Sequence, residues 1–241
     1  MNVLAIDTSS YVMGTALVKD SLPLGEITTH EKKNHSLRLA PAIRELLRQT
    51  DMQENQLDRI AVTEGPGSYT GVRIGITTAK TMAWALGIPL VAVSSMELLA
   101  QNGRYFDGWI VPFYDARRTQ LYTGLFKCMN GEIERRETDQ MKLLEDLLHE
   151  MKNLDGPVLF LSPDRLIHEQ RIREVLGDQA VFGAPLDGLP RPGELAQLAV
   201  NREPVADLHS FTPNYIRLAE AEAKWRAARA KAEDSSSSQG D

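Results

Sequence analysis

The chain has 241 residues, 42% of them apolar and 25% charged, with a formal net charge of −6 at pH 7. That balance describes an ordinary soluble globule, and its acidity argues against holding RNA unaided, because nucleic-acid affinity comes mainly from Lys and Arg neutralising phosphates. Cys128 is the single cysteine, which excludes an internal disulfide and fits a reducing cytosol, and no apolar stretch reaches membrane-spanning length. Met1 leads straight into "NVLAIDTSS" without a basic flank or a cleavage site, so neither a signal peptide nor an anchor is expected, and the expected location is the cytoplasm.

In chain order, 2–7, 12–18 and 24–30 read as three strands of an antiparallel meander. "HSLRLAPAIRELLRQT" (35–50) is an amphipathic helix with Leu39, Ile43, Leu46 and Leu47 at helical spacing. A strand at 57–65 ends in Gly-Pro-Gly, and a helix over 68–86 stops at Gly87, with Pro89 just beyond. A strand (89–95) and a short helix ("MELLAQ") complete one α/β layer arrangement. Near residue 102 the pattern restarts with strand, turn, strand, an Asn-Gly turn at 130–131 and a third strand. A helix (140–152), a strand (157–162), a helix (164–175), a weak strand (179–183), a loop and a helix (193–200) follow. The second unit repeats the first in order only, not in residues. The expected division is an N-terminal lobe over 1–102, a second, divergent α/β lobe over 103–212, a C-terminal helix over 213–232 and a disordered tail over 233–241. The pairs Lys32–Lys33, Arg117–Arg118 and Arg135–Arg136 read as solvated faces.

Two stretches invite a phosphate reading. A strand ending in Asp7-Thr8-Ser9 before a tight turn is how actin-like and sugar-kinase-like ATPases present a carboxylate to hydrated magnesium and hydroxyls to phosphate. That chemistry needs a matching Gly-containing turn in the second half and a Gly-Gly turn for the nucleoside. Here the second turn reads "YDARRTQ", with Asp115 followed by Arg117 and Arg118 where backbone must approach phosphate, and the later strand ends in Ser162-Pro163-Asp164. Two of the three parts are missing, and the plainer role of Asp7 and Thr8 is to fix their own turn. "EGPGSYTG" lacks the Lys-Ser or Lys-Thr of a P-loop, and Pro66 removes a backbone N–H, so Ser68 or Thr70 is expected to cap the helix instead.

That helix carries Gly71, Gly75, Ala79 and Ala83 four apart, a smooth stripe whose two glycines cost about 1 kcal/mol each relative to Ala. Close packing offsets such a cost, either against the chain's own sheet or first helix, or against a helix of another chain. The five histidines are scattered, with no pair at i, i+4, and no Gly-x-Ser-x-Gly elbow occurs. No metal, no cofactor and no catalytic residue is expected.

"LAIDTSS", "NHSLRLAP" (34–41), "GPGSYTGVRIGITTAK" (65–80), "GIPLVAVSSMELLA" (87–100), "DARRTQLY" (115–122) and "PNYIR" (213–217) together resemble the bacterial TsaB (YeaZ) family, over essentially the whole chain to about residue 220. The resemblance implies an α/β, two-lobed actin-like or sugar-kinase-like (ASKHA) fold with a degenerate nucleotide site. It also implies a non-catalytic part in making threonylcarbamoyladenosine (t6A) at position 37 of tRNAs that read codons beginning with A. In that pathway a related, metal-bearing subunit, TsaD, performs the transfer, and its His-x-x-x-His pair corresponds here to Ser95 and Leu99, which cannot supply two imidazoles. The implied partners are TsaD, as a heterodimer, and the ATPase subunit TsaE at the junction, with a homodimer when isolated, tRNA only through the complex and no membrane. The implied docking helices carry Leu39, Ile43, Leu47, Gly71, Val72, Gly75, Ile76, Ala79, Lys80 and Ala83. The competing reading is an actin-like ATPase or sugar kinase using Asp7–Ser9.

Overall fold

The structure, a computed structural model, describes residues 1–32 and 34–216. Two five-stranded sheets carry the fold, and the second repeats the strand order of the first. In the first, β1 (Asn2–Asp7), β2 (Met13–Lys19) and β3 (Leu22–Thr29) form an antiparallel meander, and β4 (Arg59–Gly65) and β5 (Leu90–Ser94) extend it in parallel, in the order β3-β2-β1-β4-β5. In the second, β6 (Trp109–Asp115), β7 (Gln120–Met129) and β8 (Glu132–Leu143) form the meander, and β9 (Val158–Leu161) and β10 (Ala180–Phe182) add to it, in the order β10-β9-β6-β7-β8. The repeat of order read from the sequence is therefore a repeat of topology.

The period-two alternation of β1 explains how each face of the first sheet is covered. Leu4 and Ile6 point into a core with Leu39, Ile43 and Leu47 of α1 (His35–Gln49) and Val72, Ile76 and Ala79 of α2 (Tyr69–Leu86). Val3 and Ala5 point the other way, onto Leu98 and onto Leu195, Ala196 and Ala199 of α6 (Pro192–Val200). The second sheet buries Phe113 and Phe160 under α4 (Leu144–Lys152) and α5 (Arg165–Leu176). Its other face packs Tyr114, Phe126 and Leu161 against Met96, Leu99 and Ala100 of α3 (Ser95–Ala100). Helix α3 thus lies between the two sheets, with Leu98 turned to one and Leu99 to the other.

Three expectations change. The helix expected from 140 begins at Leu144, because Gln140–Leu143 continue the ladder to β7, with Leu143 opposite Gln120. Helix α6, assigned by sequence to the second unit, packs on the first sheet, because its apolar residues find β1 and β2 rather than β6 or β9. Residues 213–216 are not helical: the Asn214 N–H donates to the Glu64 carbonyl at 2.8 Å, as Val205 donates to Leu90 at 2.9 Å farther back. Residues 204–216 therefore form a strap along α2, held again where Lys80 donates to the His209 and Phe211 carbonyls. The rest of the expected C-terminal helix and the tail lie outside the described residues.

Candidate functional site

The loop after β1 is closed onto α2. Asp7 is buried at the end of its strand, and its Oδ1 accepts from the Ser9 N–H (3.0 Å), the Ser9 hydroxyl (2.7 Å) and the Thr63 hydroxyl (2.6 Å). Its Oδ2 is buried without a hydrogen-bond partner, and burial raises the carboxyl above its usual range against those three donors. The Thr8 hydroxyl donates to the Gly71 carbonyl at 2.7 Å, and the Ser68 N–H donates to the Ser9 carbonyl at 2.7 Å. A Cβ on Gly67 would lie 2.1 Å from the Ser9 carbonyl oxygen, and one on Gly71 would lie 2.1 Å from that of Thr8. The glycines of "GPGSYTG" admit this protein's own loop. Ser68 caps the helix by accepting from the Gly71 N–H at 3.2 Å, and Gly87 ends it in the left-handed region at φ 66°, both as the sequence implies.

Across a cleft of about 640 Å³ stands the turn between β6 and β7. Arg117, Arg118 and Thr119 all hold positive φ (66°, 54° and 59°), closed by the Ala116 N–H on the Gln120 carbonyl at 2.8 Å. Three non-glycine residues in that region are costly, so the neighbouring ladder must over-determine the turn. Asp115 Oδ1 meets His168 Nε2 at 2.9 Å, and the Asp115 N–H donates to Asp164 Oδ2 at 3.2 Å. Burial, with Asp115 beside it, raises the Asp164 carboxyl. Tyr114 reaches across to Ser9, hydroxyl to hydroxyl at 3.4 Å, and burial beside Asp7 lifts its phenol well above the usual range.

This cleft does not fit a magnesium nucleotide. A polyphosphate there would face the Asp115 and Asp164 carboxylates together with the Arg117 side chain, and no glycine turn on the β6–β7 side lets backbone approach it. Ser95 and Leu99, which the resemblance sets against a histidine pair, are both fully buried between the two sheets, where Leu99 is apolar core. Beside them Ser94 caps α3 on the Met96 and Glu97 N–H groups and donates to Asp139. Arg135, read from sequence as solvated, instead pairs with Asp139 and Glu97, and Arg202 also pairs with Glu97. Pairing across the junction pulls it out of water. Arg136 stays on the surface with Glu134.

The small-residue stripe faces inward, which corrects the docking residues implied by the resemblance. Leu39, Ile43, Leu47, Gly71, Val72, Gly75, Ile76, Ala79 and Ala83 are all buried in the chain's own core. Their apolar or small side chains let α1 and α2 sit down on the sheet; a Cβ on Gly75 would lie 2.5 Å from the Thr8 hydroxyl and 3.6 Å from Val62. Lys80 is half-buried, and its ammonium holds the strap.

What the two helices present outward is a different set. Leu37 is 74% exposed and Trp84 67% exposed. Between the helices runs an open groove of about 500 Å³, lined by Ala40, Tyr69, Arg73, Ile74, Thr77 and Thr78 among others. The Arg73 guanidinium lies over the Tyr69 ring at 5.0 Å and donates to its hydroxyl. Sequence reasoning passed over these residues because it followed the inward stripe; the apolar Leu37 and Trp84 lying off that stripe were the available signal.

The family model described as TsaD: tRNA N6-adenosine threonylcarbamoyltransferase matches residues 24–225. The tRNA threonylcarbamoyladenosine biosynthesis protein TsaB of Bacillus subtilis (strain 168) is 52% identical over 225 residues, which are 93% of this chain and 98% of that protein. The protein of the same description from Escherichia coli (strain K12) is 29% identical over 162 residues, 65% of this chain and 68% of that one. Among solved structures, YeaZ from Pseudomonas aeruginosa superposes with a TM-score of 0.73 at 26% identity, covering 89% of this chain and 99% of that chain.

Proposed function

The chain belongs to the TsaB (YeaZ) family, the non-catalytic partner subunits of tRNA threonylcarbamoyladenosine biosynthesis with an actin-like α/β fold, and on that premise we propose that it docks on TsaD through the outward faces of α1 and α2. Partnership with TsaD is general to the family; the face, the residues and the further partners are the proposal. The observation that carries it is the open groove between α1 and α2, lined by Ala40, Tyr69, Arg73 and Ile74, on two helices that also leave Leu37 and Trp84 exposed. Docking there holds TsaD in a state active for transfer to adenosine 37 of tRNAs reading codons beginning with A, and completes the junction where TsaE binds. The N-terminal lobe is the docking unit, and tRNA is reached through the complex, in keeping with the net charge of −6. The reading places the protein in the cytoplasm; among the described residues no helix is long and apolar enough to cross a membrane.

The isolated chain pairs with a second copy through the same face, because an isologous contact buries the groove that TsaD would bury. The test is co-purification with TsaD and tRNA threonylcarbamoylation, with and without this chain, for the native protein and Ile74→Asp. A charge on the groove floor should cost at least tenfold in TsaD affinity, about 1.4 kcal/mol or more. Undiminished binding by Ile74→Asp would move the docking face elsewhere. A ternary species that retains the homodimer would end the shared-surface idea.

A further inference from the structure

The strap over residues 204–216 is fixed to the first lobe along its length. The Val205 N–H donates to Leu90, Lys80 holds the His209 and Phe211 carbonyls, and the Asn214 N–H donates to Glu64. Between these points Val205, Leu208 and Phe211 pack on the core that α1 and α2 share with the sheet. The strap then closes on the turn before α2, where a Cβ on Gly65 would lie 3.0 Å from the Asn214 carbonyl oxygen. The Tyr215 ring meets Tyr69 with centroids 5.2 Å apart. Tyr215 and Ile216 line a small pocket with Pro66, Val72, Tyr69 and Tyr122.

Tyr122 belongs to β7, so the end of the strap stands against side chains of both lobes. Tyr69 and Tyr122 also line the cleft between the lobes, one from each side. Two hydrogen bonds cross near them, from the Tyr11 hydroxyl to the Pro163 carbonyl at 3.1 Å and between the Ser9 and Tyr114 hydroxyls at 3.4 Å. Both exceed the usual 2.5–3.0 Å of a bond donated by a hydroxyl, so they bind weakly. The firmer joint lies away from the cleft: Leu98 and Leu99 of α3 are buried on opposite sheets, and Glu97 pairs with Arg135 and Arg202, none of them lining the cleft.

We propose that Tyr215 and Ile216 form a clasp that holds the two lobes at one angle across the cleft, with α3 as the joint about which they open when the clasp is released. Lobes joined by a limited interface move relative to one another unless further contacts hold them. Because the strap is fixed to the first lobe, it meets Tyr122 only while the second lobe is close. Its packing therefore favours the closed arrangement and is lost in the open one, which is what shifts such an equilibrium. Every contact in the clasp is internal to the chain, so it stands whether or not Ile74→Asp disturbs TsaD binding.

The test reads the distance between the lobes in the full chain. Spin labels go on Leu37→Cys in α1 and Leu166→Cys in α5, each two residues beyond a residue that lines the cleft, His35 and Asp164. The background is Cys128→Ser, and an excess of unlabelled chain removes distances between copies. With the native strap the distribution should be single and narrow. Ile216→Asp should shift it to longer distances and broaden it, whereas Ile216→Leu, which keeps the apolar contact, should leave it as it was. A control pair within the first lobe, Leu37→Cys and Glu54→Cys, should not move in any of these variants. An unchanged distance between the lobes in Ile216→Asp overturns the clasp. An equal disturbance of the control pair also overturns it, because the strap would then be only a part of the first lobe's own packing. Should Ile216→Asp fail to fold, Tyr215→Ala decides the matter by the same two distances.

Discussion

At Gly71 a methyl group would press on the Thr8 carbonyl, a backbone atom that no rotamer change can move aside. Overpacking of this kind costs about 1–3 kcal/mol, whereas replacing a helical Gly by Ala gains about 1 kcal/mol. Gly71→Ala is therefore expected to destabilise by about 1 kcal/mol net, read as a lower denaturant midpoint at unchanged slope; a stabilised variant would show that the loop after β1 yields. Ala79→Leu adds three carbons at a fully buried site and should also cost about 1–3 kcal/mol, with TsaD affinity per folded molecule unchanged. The stripe itself was legible from its spacing of four. Its partner was not, because the Thr8–Gly71 contact joins residues 63 apart, and a smooth helix face suits an internal sheet as well as a foreign helix. Glu64 was equally hidden: burial raises its carboxyl, and Asp139 and Glu97 nearby add to the shift. With the folded pKa above the unfolded one, its contribution is fully present below the unfolded value and is lost as pH rises through the folded one. Stability should thus fall from about pH 4.5 towards neutrality, and Glu64→Gln should flatten that slope and be the more stable chain at pH 7. Urea midpoints for both chains across this range provide the check, and parallel curves would clear Glu64 of the effect.

Helix α2 shows how one element serves two purposes with opposite faces. Its N-terminus is fixed twice, by the Ser68 side-chain cap and by the Ser68 backbone N–H on the Ser9 carbonyl. Ser68→Ala removes only the first, so it should cost about 1 kcal/mol in thermal or denaturant unfolding and leave the loop in place. A cost above about 2 kcal/mol would mean that the cap also organises the turn. Both helix ends were readable, since Ser before the helix and Gly after it have local mechanisms. The outward face was harder to read. Leu37 and Trp84 lie off the periodic stripe, and scattered exposed apolar residues are common enough to pass without notice in a sequence. The end of β8 was misread for a related reason: "QMKL" has ordinary helical propensity, and only pairing with β7 keeps it extended.

For the whole molecule, the repeated strand order followed from two successive runs of meander and alternating α/β pattern, each carried by local periodicity. What joins the halves came from distant contacts. Helix α6 crosses back to the first sheet, the strap returns along α2, and α3 gives Leu98 to one sheet and Leu99 to the other. The charged side chains Glu97, Arg135 and Arg202, from α3, β8 and the segment after α6, meet at the same junction. With core and charge shared in this way, neither sheet should melt separately. Leu99→Ala probes that coupling, because it opens a cavity at the junction without touching the outward faces of α1 and α2. Truncating a buried leucine costs about 2–5 kcal/mol, depending on how far the site collapses. The expected calorimetric result is one transition at lower temperature, with the calorimetric and van't Hoff enthalpies still equal. Two separated transitions in the native chain would show that the lobes fold independently. Two transitions in Leu99→Ala alone would show that this one side chain couples them.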